Sequence, residues 1–258
     1  MVNMIVNGKP VKAEKGEMLL DVIRRMGIDI PAICAHDAIE PTGNCRLCMV
    51  EITKTEWDGW KKSVTSCLYP VDEGLIIQTH TPEIQEIRKT LLDLQLANCP
   101  ESEVIQKMAA EYGVFKTSFE VMPDGDNCIM CYACTRICEV LGRNAISPVD
   151  RGHQKVIAPP FGKEPEDCVG CLSCAHICPT DHIAWHDKAG VRIIWDKKFK
   201  LLECKQCGKK TITKEFADLL IKERGLPEEY FETCDDCKRM ETARKYGSLV
   251  MKATEAAI

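Results

Sequence analysis

The sequence predicts an α+β chain built of small metal-bearing modules. Three observations carry that prediction: a strand–turn–strand–helix opening, two cysteine runs of identical spacing near the middle, and two CxxC pairs near the C-terminus. The 258 residues are 45% hydrophobic and 28% charged, the balance of an ordinary globular protein, but the 17 cysteines are not ordinary. They arrive in clumps, and the N-terminus MVNMIVNGKP has neither the basic region nor the apolar run of a secretory signal. A disulfide framework is therefore set aside in favour of metal-held thiolates in a reducing cytoplasm. No apolar stretch is long enough for a membrane span, and a formal charge of −5 with no basic stripe argues against nucleic acid as a partner.

The opening MIVNGKPVKAE reads as two strands around Asn7-Gly8, a dipeptide that tolerates positive φ at both positions. GEMLLDVIRRMG follows as a helix with Leu19, Leu20, Ile23 and Met26 at helical spacing and Gly27 as its stop. A hairpin followed by a helix packing across it is a β-grasp opening. Further strands are expected at Met49 to Thr53, near Val64 to Cys67, and at Leu75 to Thr79. Thr81-Pro82 starts a helix with Ile84, Ile87, Leu91 and Leu94 on one face, and Glu101 to Tyr112 reads as a second helix.

Cys128, Cys131, Cys134 and Cys138 follow C-x2-C-x2-C-x3-C, and Cys168, Cys171, Cys174 and Cys178 repeat it with Pro179 next. In that pattern three cysteines wrap one [4Fe–4S] cluster and the fourth turns to the other cluster. The expected ligand sets are thus Cys128, Cys131, Cys134 and Cys178 for one cluster, and Cys168, Cys171, Cys174 and Cys138 for the other. Ile129, Ile137, Val169 and Ile177 are placed to shield them from water. In the first domain CAHDAIEPTGNCRLCMVEI spaces Cys34, Cys45 and Cys48 as C-x10-C-x2-C, with Cys67 19 positions further on. This suits a [2Fe–2S] cluster, with Gly43 and Asn44 letting backbone N–H groups approach it; His36 is read as a loop residue beside the cluster.

The tail carries Cys204, Cys207, Cys234 and Cys237 as C-x2-C-x26-C-x2-C. Two separated knuckles suit one tetrahedral ion, so zinc is expected, with a third [4Fe–4S] cluster or a single rubredoxin-like iron as alternatives. Gly208 supplies the tight turn of a knuckle. Lys205, Lys209, Lys210, Lys238 and Arg239 are expected to offset the thiolate charge, and the tail, from about Leu201, is expected to have little core of its own. The boundaries predicted are 1–80 for the [2Fe–2S] domain, 81–118 for a helical segment, 119–195 for the two-[4Fe–4S] ferredoxin domain and 196–258 for the metal-binding module.

The order of these parts, with PTGNCRLCMVEI and the paired cysteine runs, resembles the N-terminal part of the large iron–sulfur subunit of respiratory complex I. It is similar too to the corresponding chain of NAD-linked hydrogenases, formate dehydrogenases and electron-bifurcating complexes, over residues 1 to about 190. The resemblance implies a non-catalytic electron-transfer subunit of an NAD(P)-dependent oxidoreductase, carrying electrons by one-electron hops. Its implied partners are a flavin/NAD(P)-binding subunit on one side and ferredoxin, or a hydrogenase or formate dehydrogenase subunit, on the other. A free-standing multi-cluster ferredoxin that shuttles between enzymes is the alternative. Relatives of this kind carry a further cluster held by one His and three Cys. Here Ala97-Asn98-Cys99-Pro100-Glu101-Ser102 puts Cys99 at the His position with no cysteine in the next 28, so that cluster is expected to be missing and Cys99 to be a buried thiol. No GxGxxG and no phosphate loop is present, which places nucleotide binding in another chain.

Overall fold

Asn7 and Gly8 take positive φ of 47° and 78° and turn strand β1 (Val2–Val6) back onto β2 (Lys9–Ala13). The structure is a computed structural model describing residues 1–121 and 127–255. Residues 122–126 and 256–258, which the predicted dicluster domain and C-terminal module include, lie outside the described residues. The chain divides into two compact units, Met1–Ala158 with Ser173–Ile183, and Pro159–Leu172 with Ala184–Ile258.

In the first unit β1 and β2 join β3 (Met49–Lys54), β4 (Lys62–Thr65) and β5 (Leu75–Gln78) in a sheet ordered β2-β1-β5-β3-β4. β1 and β5 run parallel and the other pairs antiparallel. Helix α1 (Leu19–Arg25) buries Leu19, Leu20, Val22 and Ile23 in the core made with Val6, Ile52 and Ile77, and Gly27 at φ 73° follows its end. Cys67 is not on a strand as expected; it sits in a short 3-10 turn, Ser66–Leu68, just after β4.

Thr81 caps helix α2 (Pro82–Asn98), its side chain accepting from the Ile84 N–H at 3.3 Å. The buried face differs from the one predicted. Leu94 is 45% exposed, and the inward stripe steps by four through Ile84, Arg88, Leu92 and Leu96. The sequence pattern missed this because a charged residue in the stripe, Arg88, looks like a solvent position. Helix α3 (Glu103–Glu111) packs beside α2; α4 (Ala133–Val140), the hairpin of β6 (Ser147–Val149) and β7 (Val156–Ala158), and the short α5 (Ser173–His176) complete the unit.

The second unit overturns the expectation of a tail with little core. Strands β8 (Trp185–Lys188), β9 (Val191–Ile194), β10 (Lys197–Glu203) and β11 (Lys210–Thr213) form an antiparallel sheet ordered β11-β10-β9-β8. Leu201 lies inside β10, and Ile194, Phe199, Leu201 and Thr213 are buried. Helices α6 (Lys214–Arg224) and α7 (Asp235–Glu255) follow; Thr213 caps α6, accepting from the Phe216 N–H, and Gly225 at φ 64° ends it. Among the described residues no helix is long and apolar enough to cross a membrane.

Candidate metal centres

Cys34, Cys45, Cys48 and Cys67 are all buried, and they come as two pairs. The Cys45 thiol donates to Cys34, which holds the Cys34 thiol down at about 6 despite its burial; backbone N–H groups of Cys45 and Asn44, and the charge of Arg136, act the same way. The Cys67 thiol donates to Cys48 and likewise holds it at about 6, while burial opposes the shift. Cys45 and Cys67, the donors, are pushed up for the reciprocal reason. Pairing two by two fits a [2Fe–2S] group, in which each of two irons takes two thiolates.

The loop between the pairs is held from behind. Arg88 is 0% exposed and donates from Nε to the Leu47 carbonyl at 3.0 Å and from Nη2 to the Met49 carbonyl at 2.7 Å. The Ser66 hydroxyl donates to the Cys48 carbonyl at 2.7 Å. With their carbonyls engaged, the loop residues can turn N–H groups toward sulfur. Gly43 has φ 66°, and a Cβ there would meet Leu68 Cδ1 at 2.6 Å, so the turn before Asn44 admits no side chain without displacing Leu68. His36 belongs to the loop itself, its Nδ1 accepting from the Ala38 N–H at 3.0 Å.

Cys128, Cys131, Cys134 and Cys178 line one cavity together with Ile129, Ile157 and Ile183. Cys138 is not among its lining residues; its sulfur accepts from the Ala145 N–H at 3.3 Å. Burial raises the Cys131 thiol and raises Cys134 to about 12, helped by neighbouring sulfurs, so neither favours its thiolate without a cation. Four soft donors around an apolar cavity suit a cluster. Two side chains tie this site to the first one: Asn44 Nδ2 donates to the Cys131 carbonyl at 3.1 Å, and Arg136 Nη2 donates to the carbonyls of Cys34 at 2.9 Å and Cys131 at 3.2 Å. The sequence carries no signal for either arginine: Arg88 lies outside every ligand motif, and Arg136 occupies one of the unspecified positions between Cys134 and Cys138.

Of the remaining dicluster cysteines, Cys174 lies on α5 in the first unit, whereas Cys168 and Cys171 belong to the second. The Cys168 run is anchored to its sheet. Lys197 Nζ donates to the carbonyls of Pro165, Glu166 and Cys168 at 2.7, 2.8 and 3.0 Å. Arg192 Nη1 donates to the Gly170 carbonyl at 3.1 Å, and the Thr213 hydroxyl to the Val169 carbonyl at 2.5 Å. Ile137 and Ile177 are half-buried, and Val169 is buried. Cys99 is fully buried in a core with Cys34, Cys45 and Cys131, where Asn98 Nδ2 donates to the Cys128 carbonyl at 2.8 Å.

The four tail sulfurs of Cys204, Cys207, Cys234 and Cys237 all lie within 4.8 Å of one another, and no other group of three or more donors among the described residues converges so tightly. Cys207 and Cys234 are 3.7 Å apart. A tetrahedral ion with metal–sulfur bonds of about 2.3 Å separates its ligands by roughly 3.8 Å, so the fit is to one ion. The Cys234 N–H donates to the Cys204 sulfur at 3.2 Å and holds that thiol at about 6, with help from Cys207 and Gln206 N–H groups. Gly208 at φ 72° closes the knuckle, its N–H on the Cys204 carbonyl at 2.9 Å. Of the five basic residues, Lys209 has its ammonium raised first by Asp236 and also by the Cys234 and Cys207 sulfurs. Each of the five is paired with a carboxylate: Lys205 with Glu232, Lys209 and Arg239 with Asp236, Lys210 with Glu203, and Lys238 with Asp235.

Residues 1–82 match the 2Fe-2S iron–sulfur cluster binding domain and residues 127–182 the 4Fe-4S dicluster domain. The chain is 26% identical over 218 residues to the NADP-reducing hydrogenase subunit HndD of Solidesulfovibrio fructosivorans, covering 72% of this chain and 36% of the relative. It is 31% identical over 182 residues to the NADH-ubiquinone oxidoreductase 75 kDa subunit of Reclinomonas americana, covering 61% and 26%. The chain thus spans about a third or less of the length of these relatives. A crystal structure of an NAD+-reducing [NiFe]-hydrogenase in the H2-reduced state shares the fold with a TM-score of 0.61 and 23% identity, over 70% of this chain and 85% of that one.

Proposed function

Because this iron–sulfur protein is homologous to subunits of NADH- and NADPH-linked hydrogenases and oxidoreductases, we propose that it carries electrons between a flavin/NAD(P)-binding partner and a low-potential partner. That second partner is a ferredoxin or a hydrogenase or formate dehydrogenase subunit, and the assembly is an electron-bifurcating NAD(P)-linked complex in the cytoplasm. In this reading residues 1–80 are a β-grasp [2Fe–2S] domain, 81–118 a helical segment, 119–195 the two-[4Fe–4S] domain and 196–258 a zinc module. The observation that carries the proposal is the bridge of Asn44 and Arg136. It joins the backbone of Cys34 to that of Cys131, so cysteines of both thiol sets share one buried core, as a relay requires.

When bound, iron–sulfur clusters supply one-electron transfer at potentials set by hydrogen bonds to sulfur, burial and net charge. The chain's part is to hold them. Cys34, Cys45, Cys48 and Cys67 would hold the [2Fe–2S] group, and Cys128, Cys131, Cys134 and Cys178 would hold the first cubane. Cys168, Cys171, Cys174 and Cys138 take the second cubane; that set rests on spacing alone. Ile129, Ile157 and Ile183 keep water from the first cubane site. Anaerobically purified full chain should be reduced by dithionite yet oxidise neither NADH nor NADPH until a flavoprotein is added. Turnover with either nucleotide by the chain alone would overturn the proposal.

A further inference from the structure

Arg88 stands out because its burial has no anion to answer it. A guanidinium keeps its proton at any physiological pH, and taking it out of water is costly unless an opposite charge or a full set of acceptors meets it. Here Nε and Nη2 reach the Leu47 and Met49 carbonyls, Nη1 has no hydrogen-bond partner, and among the described residues no carboxylate pairs with it. Solvent does not reach it either, since the residue is 0% exposed in the inward stripe of α2. Its charge is nevertheless felt nearby: after burial, Arg88 is the next cause holding the His80 imidazole below its usual range.

Both acceptors belong to the loop that carries Cys45 and Cys48. Leu47 and Met49 flank Cys48 directly, so the cation lies against the back of the Cys45–Cys48 turn. Until the group is held, that turn carries only the charge of its free cysteines. With four thiolates around two ferric irons and two sulfides it carries a formal charge of about −2, and about −3 once reduced. The missing anion is then the site itself. Like charge compensation at any buried pair, the benefit grows with the charge it meets, so it favours the reduced state.

We propose that Arg88 is the buried countercharge of the [2Fe–2S] site: a positioning residue that braces the Cys45–Cys48 loop through two carbonyls and raises the reduction potential of the group held there. The inference rests on the assignment of Cys34, Cys45, Cys48 and Cys67 as its ligands. A neutral residue at this place would brace less and compensate nothing, whereas lysine keeps the charge while losing the forked hydrogen bonds.

The test is a redox titration followed by EPR on the cluster-bearing full chain, comparing wild type with R88K and R88M and using the cubane signals as internal references. R88K should stay near the wild-type [2Fe–2S] potential. R88M should either shift that potential downward with the cubane potentials unmoved, or fail to hold the [2Fe–2S] group while R88K retains it. R88M at the wild-type potential overturns the proposal. So does a downward shift in R88K, or loss of the signal from both variants, because bracing alone would then account for the residue. Absence of any [2Fe–2S] signal from wild type would instead overturn the ligand assignment.

Discussion

The two best-formed thiol sets of the molecule use four cysteines each and arrange them differently. In the first unit Cys34 pairs with Cys45 and Cys48 with Cys67, leaving two donors on each of two sides. In the second unit Cys204, Cys207, Cys234 and Cys237 converge within 4.8 Å around a single point. The same number of cysteines thus presents two arrangements of sulfur, one suited to a two-iron group and one to a single ion. The supports differ as well. The first set is backed by buried Arg88 on loop carbonyls, whereas the second relies on backbone N–H groups of its own knuckles and leaves its lysines paired to acids on the surface.

Breaking each set in turn sharpens the contrast most. Cys204→Ser should abolish zinc binding and open the second unit to proteolysis, because structural zinc supplies on the order of 10 kcal/mol to small modules; the iron content and the [2Fe–2S] EPR signal should stay. Cys48→Ser should do the reverse, removing two of about ten irons and keeping the zinc. Metal analysis with limited digestion reads both. A joint loss of iron and zinc in either variant would contradict independent sites.

A smaller effect is expected where the second cysteine run meets its sheet. Gly170 has φ 66°, and a Cβ there would lie 2.9 Å from the Phe199 ring and the Thr213 methyl. Phe199 is fully buried and cannot step aside, so Gly170→Ala should cost about 1–3 kcal/mol of stability in the second unit. Thermal unfolding checks this, and an unchanged melting temperature would contradict it. The smallest effect belongs to Cys99. Buried at the end of α2 and outside every ligand set, it should tolerate Cys99→Ser with iron content and EPR spectrum unchanged. Loss of one signal would add a ligand to the account.

Much of this was legible in the chain. Cysteine spacing pointed to the four cysteines that line one cavity and to the four that converge in the tail, Asn7-Gly8 located the first hairpin, and Thr81-Pro82 the start of α2, because each depends on local chemistry. What was hidden depends on tertiary packing. The sheet of the second unit turns at Trp195-Asp196, both at positive φ without a glycine, so no turn signal marked it. Its strand Lys197–Glu203 buries Phe199 and Leu201 on either side of Lys200, a short alternation easily taken for a solvated tail. Arg88 was hidden for the opposite reason: a charged residue at a core position is invisible to hydrophobic periodicity, and only its carbonyl partners reveal its place.

The distinction between cluster and ion is tested most directly by metal and acid-labile sulfide analysis of the anaerobically isolated full chain. The account predicts about ten irons and ten sulfides, two from the [2Fe–2S] site and eight from the two cubanes, with one zinc. About fourteen irons with matching sulfide and no zinc would place a cubane on Cys204, Cys207, Cys234 and Cys237 and contradict it.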